Sequence, residues 1–193
     1  MNRAITDPPL ARKMFSETGP WTWVWVFTRL YIGYAWVNSG WHKLFDDTWM
    51  DGGMALKSFW ERAVAIPPEP ACLLFHHFNW CRGFLEVLLV GGPHTWFAKL
   101  VAFGEFAVGI ALIIGAFVGI AAFFGATMNF NFMLAGSVPI NPVLFFGSIL
   151  LVLAWKTAGY WGLDRFLLPL LGIPWDRGAS QAVHLSPQRE HTS

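Results

Sequence analysis

From Trp96 to Gly136 the chain reads WFAKLVAFGEFAVGIALIIGAFVGIAAFFGATMNFNFMLAG, an apolar run holding one carboxylate, Glu105. A bilayer core is about 30 Å thick and a helix rises about 1.5 Å per residue, so about 20 residues make one crossing and this run makes two. The expectation is a helical hairpin bending at Gly115-Ala116-Phe117, where glycine lets the chain reverse. A carboxylate inside such a hairpin is costly unless it is protonated, paired or facing a polar cavity, so Glu105 requires a partner.

Composition agrees with a lipid-facing surface. Of the 193 residues 55% are hydrophobic and 13% charged, against roughly 25% charged in an ordinary soluble domain. Twelve Trp and eighteen Phe suit a chain with aromatic belts at two interfaces. A net charge of +1 with no basic stripe excludes a nucleic-acid partner. The leader, residues 1–20, has no apolar core before a cleavage site and reads as a cytoplasmic tail rather than a signal peptide.

The pattern predicts an all-α integral membrane protein, a four-helix bundle with spans at about 21–41, 95–115, 118–136 and 141–160. Between the first two lies a long extracytoplasmic loop. Residues 54–64 form an amphipathic helix in it, and residues 72–90, interrupted by His76, His77, Asn79, Arg82 and Glu86, read as an interfacial helix rather than a fifth span. The segment after residue 160 is a second interfacial piece, the membrane domain closes near residue 175, and 176–193 is a polar tail. With four spans both termini are cytoplasmic, as the positive-inside rule prefers for Arg3, Arg12, Lys13, Lys156, Arg165, Arg177 and Arg189. The location is a bacterial or archaeal inner membrane. Cys72 and Cys81 lie nine apart, on opposite helical faces, and read as buried apolar cysteines.

Counting from the cytoplasmic helix ends puts Arg29 at about 12 Å and Glu105 at about 15 Å of depth, so the two are expected to neutralise one another. Gly33, Trp36 and Gly40 share the Arg29 face, where small residues admit a close neighbour. Of Asn129 and Asn131 only one can face the interior, and Asn129 continues the face of Ala122, Gly125 and Ala126. His42 and Lys43, with Asp46 and Asp47, form a polar mouth. Such a core fixes helix register whatever else it does. It also suits the head group of a quinone, which needs hydrogen-bond partners for its carbonyls, a flat apolar slot and a proton source. In that reading Glu105 and Arg29 are the catalytic candidates, and His42, Lys43, Asn129 and Trp36 hold the head group. No His lies within a span, and there is no CxxC, HExxH or Gly-rich phosphate or flavin fingerprint, so no haem, flavin or metal is expected.

The order of these motifs resembles the DoxX family, in particular its DoxD-like branch, the membrane subunit of thiosulfate:quinone oxidoreductase. The resemblance rests on R-x-x-x-G at Arg29 to Gly33, G-x-x-K-L at Gly40 to Leu44 and F-L-E at Phe84 to Glu86. It continues with G-E-x-x-V-G-x-A-L-x-x-G from Gly104 to Gly115, M-N-F-N-F-M-L-A-G from Met128 to Gly136 and G-Y-W-G-L-D from Gly159 to Asp164. It implies a four-helix membrane protein that passes electrons from a reduced sulfur compound or a partner redox protein to the quinone pool, alongside other membrane or peripheral redox subunits. The alternative is a non-catalytic accessory subunit of a larger respiratory or photosynthetic membrane complex.

Overall fold

The computed structural model describes residues 8–65, 79–137 and 139–173. Among these the chain is all helical: α1 (Pro9–Phe15), α2 (Trp21–Leu44), α3 (Asp47–Met50), α4 (Met54–Ala65), α5 (Asn79–Gly91), α6 (His94–Ile114), α7 (Val118–Leu134), α8 (Asn141–Leu153), α9 (Trp155–Ala158) and α10 (Asp164–Leu170). The long helices α2, α6, α7 and α8 pack side by side, with α2 on α6, α6 on α7, α7 on α8 and α8 back on α2. Cys72 and the side chain of Cys81 fall outside the described residues.

Small residues bring the helices together. An added Cβ on Gly40 would lie 2.6 Å from the backbone nitrogen of Phe106, and one on Gly109 would lie 2.5 Å from that of Val37. The antiparallel pair α2–α6 is therefore in backbone contact along one seam. Gly125 of α7 admits the Trp36 indole, and Gly147 of α8 admits Ile32. Trp25, Ile32, Trp36, Val108, Leu112, Val118, Leu144 and Leu151 fill the space between. Outside, the large side chains are apolar too, among them Phe27, Phe103, Phe123, Phe124, Phe146 and Leu153. Among the described residues α6 alone is long and apolar enough to cross a membrane, at about 31 Å for its 21 residues; α7 and α8 are shorter apolar helices.

The hairpin turn falls where expected. Gly115 caps α6 at φ 70°, and Phe117 follows at φ 49°, a left-handed conformation that costs a non-glycine residue about 1–2 kcal/mol. The leader carries a helix absent from the sequence reading: α1 packs on the bundle, Trp25 Nε1 donates to Met14 O at 2.7 Å, and Phe15 stacks on Trp25. One expectation is corrected. The fourth apolar segment is not one helix, because α8 ends at Leu153 and a turn at Ala154 starts α9. The expected helix over 54–64 is α4, whose Leu56 and Trp60 pack with Leu85 of α5 and Ala98 of α6. α5 lies beside α4 with Phe84, Val87 and Val90 exposed. α1, the start of α2 and residues 157–161 meet at one end of the bundle, where Thr157 Oγ1 donates to Phe15 O and Trp23 stacks on Trp161.

Candidate functional site

Arg29 and Glu105 do not meet, contrary to the depth count. Level with Arg29 on α6 are Leu112 and Ile113, whose carbonyls accept from Nη1 at 3.0 and 3.2 Å, while Nη2 donates to Trp161 O at 3.0 Å. The count assumed that α2 and α6 end at one height. Instead the first turns of α2 extend past the α6–α7 turn to reach α1 and residues 155–164, which slides Arg29 along the seam away from Glu105.

Arg29 belongs to a clasp around the hairpin turn. Asp164 accepts from the N–H of Phe117 and, at 2.9 Å, from that of Val118, the first residue of α7. Leu163 N and Asp164 N donate back to Ile114 O and Gly115 O. A cation thus covers the carbonyl end of α6 and a carboxylate the amide end of α7, both favourable for the helix dipoles. Asp164 also satisfies the amide of the strained Phe117. Burial pushes its carboxyl above the usual range, while the Val118 and Phe117 amides and the Arg29 charge pull it down. Gly162 is required because a Cβ there would lie 2.7 Å from Gly115 Cα. The motif Gly159 to Asp164 is thereby explained as a structural lock.

Glu105 finds other partners. It is fully buried, accepts from Ser39 Oγ at 2.9 Å and forms an ion pair with Lys43 Nζ. The Lys43 ammonium also lies 4.6 Å from the Trp49 ring centre and 5.1 Å from that of Phe132, a cation–π arrangement. Ser39 and Lys43 are one helical turn apart on α2, which is why both reach one carboxylate. Lys43 stood out in Gly40-x-x-Lys43, but Ser39 did not, and the pairing needed the true α2–α6 register.

This pair lines a cavity of about 670 Å³ together with Trp36, Asn129, Phe132 and Tyr34, within the range of small-molecule sites. Two lining side chains are buried without a partner. Trp36 Nε1 has no acceptor, and both the oxygen and the nitrogen of the Asn129 amide are unpaired. Leaving such groups unmet costs about 1–3 kcal/mol each, so they ask for a ligand or water that offers an acceptor to the indole and either function to the amide. The choice of Asn129 over Asn131 agrees with the structure, since Asn131 is exposed and bonds Thr127 O.

Of the expected site residues, Glu105, Lys43, Asn129 and Trp36 meet at this cavity. Arg29 belongs to the clasp. His42 is exposed and does not line the cavity, because it sits about 100° from Lys43 on the helix. Asp46 accepts from Thr48 and caps α3 rather than forming a mouth. Tyr31, Trp49, Phe59 and Arg62 line the cavity and were not singled out; Phe59 and Arg62 lie three apart on the amphipathic helix α4, the only sequence signal for them. Among the described residues no group of three or more His, Cys, Asp or Glu side chains could hold a metal ion. The chain matches no protein-family model, no curated protein and no solved structure.

Proposed function

We propose that this chain is a four-span DoxX/DoxD-like membrane protein whose central cavity takes the head group of a quinone and couples it to an electron donor. The observation that carries the proposal is the buried Glu105–Lys43 pair beside the unpartnered Trp36 indole and Asn129 amide. The apolar outer surface supports a lipid surround, because exposed Phe, Ile and Leu side chains over every long helix would be unfavourable against water. The positive-inside rule sets the α1 end in the cytoplasm, with Arg12, Lys13 and Lys156 near it.

Trp36 and the Asn129 NH2 donate to carbonyl oxygens, and the Asn129 oxygen accepts from a hydroxyl, so these two side chains serve both the oxidised and the reduced head group. Reduction takes up two electrons and two protons. The electrons come from a reduced sulfur anion or a partner redox protein, and Lys43 and Glu105 relay the protons. Arg29 has no part in this reading, being committed to backbone carbonyls.

The test uses the full chain purified in mild detergent, with and without its co-purifying partners, and thiosulfate as donor to a soluble quinone analogue. Glu105→Gln is expected to lower the turnover at least about tenfold while the analogue still binds. Equal turnover in wild type and Glu105→Gln would remove the catalytic reading and leave the accessory one.

A further inference from the structure

The cavity has a side door. α2 and α8 touch where Gly147 meets Ile32, with a Cβ on Gly147 falling 2.7 Å from Ile32 Cδ1. Tyr31 and Tyr34 of α2 and Ile140 and Leu144 at the start of α8 all line the cavity. Tyr31, Tyr34 and Ile140 are at the same time 53%, 67% and 46% exposed on the outer surface. A residue that is both cavity wall and outer surface marks an opening, and this one leads between two apolar helices.

We infer that the ligand is a long-tailed amphiphile admitted sideways between α2 and α8, its head at Trp36 and Asn129 and its aliphatic tail leaving past Tyr34 and Ile140. The inference rests on the reading of the cavity as a head-group site and adds the tail and the route. The polar demand at the inner end is fixed by the fully buried Asn129, which has both amide atoms unpaired. Tyr34, Ile140 and Leu144 offer aromatic and aliphatic carbon at the opening, beside the exposed Asn38 one turn on from Tyr34. A tail lying there stays in contact with the apolar exterior, so a tailed ligand reaches the inner groups without crossing water. Ile140 is then a specificity-determining residue for the tail and not for the head.

The experiment measures binding to the full chain in lipid nanodiscs of a tailless benzoquinone and of the same head carrying a decyl tail, with ligand concentrations referred to the lipid phase. Ile140→Trp narrows the door at an exposed position. It is expected to weaken the tailed ligand about tenfold or more and leave the tailless one unchanged. Tyr34→Ala widens the door and is expected to leave the tailed ligand bound as tightly as in wild type or more so. Unchanged binding of the tailed ligand by Ile140→Trp overturns the route, as does an equal loss for both ligands, which would put Ile140 against the head. If wild type binds neither ligand, the head-group reading itself fails and the route falls with it.

Discussion

Gly109→Ala tests the seam that sets the site. A Cβ at this position would sit 2.5 Å from the Val37 backbone nitrogen and 2.8 Å from Gly33 O. Ordinary contact begins at 3.4 Å, so the helices must separate by about 0.9 Å, and backbone atoms cannot rotate aside. Forced overpacking of this kind costs about 1–3 kcal/mol, roughly 2–12 °C in melting temperature for a chain of this size. Glu105 lies one turn away on the same face. Moving α2 off by that amount stretches the 2.9 Å Ser39–Glu105 bond to about 3.8 Å, beyond hydrogen-bond reach. Gly104→Ala is the internal control, because its Cβ meets only Met128 Sδ at 3.7 Å. Thermal unfolding in detergent, followed by intrinsic fluorescence, is expected to separate the two variants clearly, with Gly104→Ala close to wild type. Melting of both variants within 1 °C of each other would refute the backbone contact and with it the register placing Ser39 and Lys43 on Glu105.

Two further outcomes follow from the cavity and the clasp. Asn129→Leu replaces an unpaired buried amide with an apolar side chain of similar size, so it is expected to raise stability by up to about 1–3 kcal/mol while abolishing quinone-analogue binding; a calorimetric scan and a titration on one sample check the opposed signs. Asp164→Ala strips the acceptor from the Phe117 and Val118 amides and leaves Arg29 without its neighbouring carboxylate. A loss of about 1–3 kcal/mol is expected for each amide left unmet, with faster amide exchange at residues 115–118, and exchange equal to wild type there would show that the turn holds itself.

Much of the scaffold could be read from apolar run lengths and glycines. The spans expected at 95–115 and 118–136 came from apolar run length, the hairpin turn from Gly115 and the inward face of Asn129 from helical periodicity, all local properties of the chain. What failed was axial register. Arg29 and Glu105 looked level only because two helices of unequal reach were aligned at their ends, and nothing local to α2 says how far it overhangs α6. The helix in the leader was missed because Pro8-Pro9 and the charges read as loop, although proline at a helix start is unexceptional. The cavity was half visible. Trp36, Lys43, Glu105 and Asn129 stand out as polar or aromatic groups on apolar helices, whereas Phe59 and Arg62 come from a separate surface helix whose docking only the assembled bundle reveals.

The clasp also imposes an order on biosynthesis. Arg29 emerges early, in the first long helix, yet its acceptors at Leu112 and Ile113 are made some eighty residues later, and the one at Trp161 later still. Until then its guanidinium must keep other company, such as water, while the ribosome supplies the rest. A nascent chain stopped before Gly159 would hold its hairpin without a latch, the kind of half-finished product that quality-control proteases remove.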